Sequence, residues 1–252
     1  MPRAARRLSG TNLYHVMLRG NEQRQIFRDE EDNLQFIRML DALKVESGFH
    51  IYAYCLMGNH VHLLIRTGEN GEPLSMIFRR LGTRYVFWYN GKYRRVGHLF
   101  QDRYRSEVVE DDSYMLSALR YIHRNPVKAG IARDMAEHPY SSYREYLEPK
   151  AGQLTDIEFI NGMMDREGFI AFHEQPDDAK IMDIKPVRPR LSDEQAKRII
   201  EKASGCGSVE EFQSLSREKR MSALKELKVK NISYRQLSRL TGESVGMIQS
   251  IV

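Results

Sequence analysis

Two histidines separated by one residue, His60 and His62, have the types and spacing that most directly suggest chemistry in this chain. The apolar runs before and after the pair Gly58-Asn59 are rich in β-branched and aromatic residues, which predicts two strands joined by a hairpin turn. Side chains alternate faces along a strand, so both imidazoles are expected on one face. Two neighbouring imidazoles form half of a divalent-metal site, although a structural role for the pair is the alternative.

A tyrosine and an asparagine four residues apart offer the groups that the histidine pair lacks. Tyr121 and Asn125 lie in a predicted helix that follows the acidic and capping residues 111–113. Positions i and i+4 stand on one helical face, so this face could deliver a phenolic nucleophile and an amide ligand. The residue before a proline is pushed out of the helical region, so we expect Asn125, before Pro126, to close the helix.

These motifs resemble those of a known family. The run Asn-His-Val-His-Leu-Leu at 59–64 and the run Tyr-x-x-x-Asn-Pro-Val-Lys-Ala-Gly at 121–130 resemble the single-tyrosine HUH transposases of bacterial insertion sequences. Within them the chain is most similar to the REP-associated tyrosine transposases. Supporting patches lie at 14–21, 97–104 and 139–143. The resemblance covers about residues 10–147 and does not reach the remainder of the chain.

The resemblance implies an enzyme that cuts and rejoins single-stranded DNA containing a hairpin. Tyr121 would be the catalytic nucleophile, forming a 5′-phosphotyrosine link and leaving a free 3′-hydroxyl. The expected cofactor is Mg²⁺ or Mn²⁺, held by His60, His62 and Asn125 and acting as a Lewis acid on a phosphate oxygen. A closed zinc site would need a fourth protein ligand, and neither cysteine of the chain is near the motif.

The predicted elements indicate an α+β fold. Strands are predicted at 11–19, 49–57, 60–65 and 103–110, and helices at 29–47 and 73–90 and around Tyr121. This order is that of a ferredoxin-like split β-α-β antiparallel sheet with helices on one face and an added helix. The resemblance implies the same fold.

Charge divides the chain into three parts. Residues 1–147 carry 22 Lys and Arg against 17 Asp and Glu, residues 148–187 carry 4 against 9, and residues 188–252 carry 13 against 8. We therefore predict an HUH tyrosine transposase domain at 1–147, an acidic connector with short helices at 148–187, and a DNA-binding module at 188–252.

The C-terminal module is expected to be all-α with a helix-turn-helix layout. Helices are predicted at 193–204, 218–229 and 234–240, with a short last one from about residue 244. Gly242 would make the turn between the last two. An ordinary three-helix bundle is the alternative.

Arginines are concentrated beside the apolar stripe of the second predicted helix and in the loop after it. With Lys92 they favour a surface that contacts the DNA backbone, a solvated helix face being the alternative. Arg19 and Asn21, beside Gly20, could contact a phosphate. The residues expected to bind DNA are Arg19, Asn21, Arg79, Arg80, Arg84, Arg94, Arg95, Arg103, Arg124, Lys128, Arg235 and Arg239.

The whole chain is compatible with this interpretation. Two distant cysteines suggest reduced thiols in the cytoplasm, and no secretion signal or membrane-spanning run is present in the 252 residues. The expected partners are single-stranded DNA with a hairpin and duplex DNA, the protein being a monomer or a homodimer. The rival hypotheses are a non-catalytic DNA-binding regulator and a two-histidine phosphoesterase, although the latter class requires His-x-Thr/Ser twice.

Overall fold

A four-stranded antiparallel sheet forms the centre of the structure, a computed structural model that describes residues 7–69, 71–176, 181, 191–228, 230 and 232–250. Its strands are β1 (Leu13–Arg19), β2 (His50–Met57), β3 (His60–Arg66) and β4 (Arg105–Val108). They are arranged in the order β2-β3-β1-β4, and each neighbouring pair is antiparallel. This is the ferredoxin-like arrangement, so the predicted α+β fold with an antiparallel ferredoxin-like sheet is confirmed.

Two crossover helices cover one face of the sheet. They are α1 (Glu30–Ser47) and α2 (Leu74–Lys92), and their apolar residues pack in one core with those of the sheet, including Val16, Val61 and Leu63. The side chain of Asp29 caps the first turn of α1. Gly48 ends α1 with a φ of 64°, a left-handed conformation that glycine adopts at little cost.

The added helix α3 (Asp112–Lys128) covers the opposite face and carries Tyr121. The prediction that Asn125 closes this helix is wrong, because α3 continues through Pro126 to its end. Proline in the last turn removes only one i→i−4 hydrogen bond, and the amide of Ala129 still donates to the carbonyl of Asn125 at 2.9 Å. The loss is therefore small enough for the last turn to form.

Three short helices complete the layer of α3: α4 (Tyr143–Leu147), α5 (Glu158–Asn161) and α6 (Arg166–Glu174). All three contribute buried side chains to the core between α3 and the sheet. Two compact units are present, residues 1–182 and 183–252, and the residues up to 176 therefore belong to the first. The division of the chain into three parts stays a prediction.

A buried chain of hydrogen bonds fixes α3 to its neighbours. The carbonyl of Phe169 accepts from His173 Nδ1 at 2.8 Å, so His173 Nε2 accepts from His123 Nδ1 at 2.9 Å. His123 Nε2 then accepts from Ser142 Oγ at 2.7 Å, and the amide of Tyr54 donates to that Oγ at 2.9 Å. The carbonyl of Phe169 therefore fixes the tautomer of both histidines. The series of hydrogen bonds joins α3, α6 and β2.

The second unit is all-α. Its helices are α7 (Asp193–Ser204), α8 (Val209–Ser214), α9 (Arg217–Lys228), α10 (Tyr234–Thr241) and α11 (Val245–Ser250). Ten buried apolar residues in its described part, among them Phe212, Leu224 and Ile248, form a core of its own. Gly242 ends α10 with a φ of 75°. The predicted helix at 218–229 ends at a residue outside the described part of the chain.

No described helix in either unit is long and apolar enough to cross a membrane.

Candidate active site

The histidine pair lies on β3, a central strand, and faces α3. The ring centroids of His60 and His62 are 5.1 Å apart. His62 is fully buried and His60 is half-buried. Burial, followed by the nearby His15 and His60, lowers the pKa of His62 well below its ordinary value. The ring is therefore neutral at pH 7, which is the form that binds a metal.

Helix α3 brings Tyr121 to this pair. The ring of Tyr121 lies 5.6 Å from that of His62, in an edge-on arrangement, and its side chain is 3% exposed. The ammonium of Lys128 lies 4.6 Å from the centre of the same ring. Asn125 is buried and donates from Nδ2 to the carbonyl of Tyr121 at 2.8 Å, so Oδ1 is the side-chain atom with which it could bind a cation. One chain therefore supplies both the imidazoles and the phenol.

A third histidine, His15 on β1, belongs to the same cluster. It is fully buried, its Nε2 lies 2.9 Å from His62 Nδ1, and its ring lies 5.9 Å from that of Tyr121. The sequence interpretation missed His15. The side chains of β1 alternate between the two faces of the sheet, and the pairing of β1 with β3 places His15 on the face that α3 covers. This alternation is the sequence feature that could have revealed His15.

The donor atoms fit a divalent cation that accepts nitrogen and oxygen ligands. His62 Nε2 is a buried atom with no hydrogen-bond partner among the described residues. In the described ranges no three His, Cys, Asp or Glu side chains form a metal-binding group. A cation at this site would therefore require the amide oxygen of Asn125 or oxygens from outside the protein.

Two arginines lie on the same face as the histidines. Arg19 is opposite His60 in the pairing of β1 with β3, and Arg105 is opposite Met17 in the pairing of β1 with β4. Burial and then the charge of Arg105 lower the pKa of Arg19. Two guanidinium groups that share one face of the sheet could contact an anion such as phosphate. Arg105 was not predicted from the sequence.

The loop after β1 meets the turn of the histidine hairpin. The amide of Gly20 donates to the carbonyl of Asn59, and the amide of Asn21 donates to the carbonyl of Leu99, each at 2.8 Å. These bonds place Asn21 at the same end of the sheet as His60.

The predicted basic cluster on α2 lies on the other face of the sheet. Arg80 pairs with Glu46 and Glu72, and Arg84 pairs with Glu46. Lys92 is held by three carboxylates, those of Asp29, Glu31 and Asp32. The structure therefore does not bring these charges to the histidine pair. Arg79 and Arg94 are exposed on this layer, and Arg95 lies 5.7 Å from the ring of Tyr89.

The remaining predicted DNA contacts are distributed over both units. Arg124 donates to the carbonyls of His173 and Gln175, at the end of α6. Arg103 is exposed just before β4. In the second unit Arg235 is exposed on α10, and Arg239 pairs with Asp193 at 2.6 Å.

A ferredoxin-like sheet with a His-x-His pair on a central strand, and a tyrosine delivered by a helix, are the features of the single-tyrosine HUH transposase class. Comparison with known proteins agrees: residues 10–125 match the family model described as "Transposase IS200 like". Through these residues the chain is similar to the IS200-like transposases, which agrees with the resemblance seen in the sequence.

Two relatives are informative. A Haemophilus influenzae protein assigned as a REP-associated tyrosine transposase is 29% identical over 104 residues, which are 38% of this chain and 59% of the relative. A solved structure of a REP-associated tyrosine transposase bound to a REP hairpin matches with a TM-score of 0.52 and 18% identity, over 62% of this chain and 94% of the other. The chain thus spans little more than half the curated relative, and the solved structure supports the fold.

Proposed function

We propose that this protein is a metal-dependent single-strand DNA endonuclease and strand transferase that acts on DNA containing a hairpin. The observation that carries the proposal is the position of the Tyr121 ring, 5.6 Å from that of His62, although the two residues lie on different elements. The solved relative is bound to a REP hairpin, which supports hairpin DNA as the substrate class.

His60, His62 and Asn125 are the residues proposed to hold the cofactor, Mg²⁺ or Mn²⁺. When bound, the ion would supply Lewis-acid polarisation of a non-bridging phosphate oxygen. The residues themselves prepare the site: both imidazoles are held by hydrogen bonds, and burial keeps His62 neutral.

Tyr121 is the proposed nucleophile. Its phenolic oxygen forms a bond to phosphorus and the bond from phosphorus to the 3′ oxygen breaks. The phenol loses one proton and the departing 3′ oxygen gains one, so the step is balanced. The products are a 5′-phosphotyrosine and a free 3′-hydroxyl, and the reverse attack by a 3′-hydroxyl rejoins a strand. The ammonium of Lys128, 4.6 Å from the ring, would stabilise the phenolate that leaves in that second step.

The phosphate needs cationic partners as well as the nucleophile. Arg19 and Arg105 lie on the histidine face, and we assign them to the phosphates beside the cut. The arginines of α2 are assigned to more distant DNA, because carboxylates compensate part of their charge and they lie on the other face.

The second unit is proposed to bind duplex DNA through a helix-turn-helix formed by α10 and α11, with Arg235 and Arg239 at the phosphates. A cytoplasmic location and a monomeric or homodimeric state are part of the same proposal.

The test is incubation with a single-stranded hairpin oligonucleotide and Mn²⁺, followed by a denaturing gel. We expect a covalent protein–DNA band that disappears with EDTA. Tyr121→Phe should abolish the band and leave hairpin binding within a few-fold of the wild type, because only the hydroxyl is lost.

Tyr114→Phe is the matched control, since Tyr114 lies at the start of α3, where its hydroxyl contacts Glu107. It should still form the band. A wild-type protein that binds the hairpin and never forms the band would favour the non-catalytic regulator instead.

A further inference from the structure

The outer face of α2 carries an exposed aromatic side chain that is not part of the candidate active site. Phe87 is 83% exposed, whereas every other phenylalanine, tyrosine or tryptophan among the described residues is at most 40% exposed. Val86 and Trp88 are half-buried beside it, and all three line one groove along the helix. A groove lined by two aromatic rings, one of them in water, has the form of a binding surface.

The flat faces of the Phe87 ring are accessible to a ligand. Side chains four residues apart are neighbours on the surface of a helix, and the positions four before and four after Phe87 are Thr83 and Gly91. Both line the same groove, and both are too small to cover a phenyl ring. A planar group can therefore stack on this ring.

The charge of this face is complementary to a polyanion. Residues 73–101 contain six Lys and Arg and no Asp or Glu. Carboxylates outside this stretch compensate three of the six cations. The other three, Arg79, Arg94 and Arg95, have no carboxylate partner within the described part of the chain, and Arg95 also lines the groove. Such uncompensated cations attract phosphates.

Aromatic rings next to uncompensated arginines are the combination that binds unpaired nucleic acid strands. The bases stack on the rings while the phosphates contact the cations. In a duplex the bases stack on one another, so a single strand fits the exposed ring of Phe87 better. A second copy of the chain that docked through the same face would bring these arginines close to one another, which like-charge repulsion opposes.

We propose that the groove at Phe87 binds single-stranded DNA, with an unpaired base stacked on the Phe87 ring and phosphates at Arg79, Arg94 and Arg95. The proposal rests on the proposed function, from which it takes DNA as the ligand. Helix α2 covers the face of the sheet opposite to α3, so the groove binds nucleotides other than those at Tyr121. It therefore gives the more distant DNA a defined contact and a single-stranded form.

Trp88 is the one tryptophan of the chain and lines the groove, so its fluorescence reports on this surface. The full chain with Tyr121→Phe is titrated with an unstructured oligodeoxyuridine in EDTA, so that cleavage does not contribute. Anisotropy of the labelled oligonucleotide measures total binding in the same titration. We expect the strand to quench the fluorescence of Trp88. Binding that leaves this fluorescence unchanged, or no binding, would overturn the proposal.

Substitutions of Phe87 separate stacking from apolar contact. Phe87→Ala should weaken the affinity measured through Trp88 about 5–150-fold, the loss expected for one stacked base. Phe87→Tyr keeps the ring and should bind within a few-fold of the parent protein, whereas Phe87→Leu keeps only an apolar side chain and should resemble Phe87→Ala. Val45→Ala is the matched control, because Val45 is 80% exposed on α1, and it should bind normally. Normal binding by Phe87→Leu would refute stacking.

Two other occupants are outcomes of the same experiment. An oligouridine that binds more tightly than the matched oligodeoxyuridine would assign the groove to RNA. A dimer in sedimentation velocity that Phe87→Ala dissociates would assign it to a second copy of the chain, and either result would overturn the proposal. Failure of the wild type to form the covalent band with Mn²⁺ would count against the proposed function alone, because the titration in EDTA requires no catalysis.

Discussion

At the scale of single residues, burial sets the protonation state of the histidines that hold the first unit together. It lowers the pKa of His123, His138 and His173, the last to about 4. His123 and His173 are the two side chains that link α3, α6 and β2 through buried hydrogen bonds. In that chain each ring uses one nitrogen as donor and the other as acceptor, which only the neutral form allows.

Acid should therefore destabilise the first unit. Between about pH 6.5, the ordinary pKa of histidine, and about pH 4, the pKa of His173, the unfolded chain binds protons that the native chain does not. The free energy of unfolding then falls as pH falls, by up to about 1.4 kcal/mol per pH unit for each such histidine. Urea unfolding at pH 7, 6 and 5 measures this slope.

The variant His173→Gln cannot take up that proton. It should be less stable than the wild type at pH 7 and should show a shallower dependence on pH. Equal slopes in the two proteins would exclude His173 as a source of acid sensitivity.

The members of the candidate site differ in how readily the sequence reveals them. His60 and His62, like Tyr121 and Asn125, are related by spacing within one element, so local periodicity predicts their common face. His15 and Arg105 join them through the pairing of β1 with β3 and β4. That pairing is a long-range property, which no local pattern encodes.

At the scale of elements, the helices with strong apolar periodicity and clear caps were predicted closely. Helix α7 has the predicted bounds and a capping box at Ser192 and Gln195. The six-residue α8 was missed, because so short a segment shows hardly two turns of periodicity. The end of α3 was misjudged, because the rule for residues before proline is a preference that packing overrode at Asn125.

Two glycines in the second unit give a matched test of helix ends. Gly205 and Gly242 both have positive φ, 74° and 75°, at the ends of α7 and α10. A Cβ at Gly205 would meet nothing within 4 Å, whereas one at Gly242 would lie 2.9 Å from Gln213 Nε2 and 3.1 Å from Val209 Cγ1. Gln213 Nε2 also donates to the carbonyl of Thr241 at 2.7 Å, so moving it is costly.

Gly205→Ala should thus destabilise the second unit by about 1–2 kcal/mol, the cost of a left-handed non-glycine residue. Gly242→Ala should destabilise the second unit by more than Gly205→Ala does, because the added methyl group also displaces Gln213. Thermal unfolding of both variants measures the difference. A smaller loss for Gly242→Ala than for Gly205→Ala would contradict the close approach between α10 and α8.

At the scale of the whole molecule, the order of elements was sufficient to predict a ferredoxin-like sheet, because few topologies accommodate β-α-β-β-α-β with short connections. The packing of residues 148–176 against the first unit could not be predicted from the sequence. Their composition is acidic, yet Leu154, Ile157, Ile160 and Phe169 are buried in the cores of the first unit. Four apolar side chains dispersed among charges are too weak a pattern to predict packing against a particular face.

The two units should carry separable activities. All of the proposed catalytic groups lie within residues 15–128, and the second unit has its own apolar core. Deleting residues 188–252 should therefore leave hairpin cleavage in place and weaken duplex binding, because 13 of the 39 Lys and Arg residues are removed. Faster cleavage by the truncated protein would instead indicate that the second unit restrains the first. Cleavage is measured on denaturing gels and duplex binding by fluorescence anisotropy at two salt concentrations. A truncated protein that has native circular dichroism, binds Mn²⁺ and cuts nothing would show that catalysis needs both units.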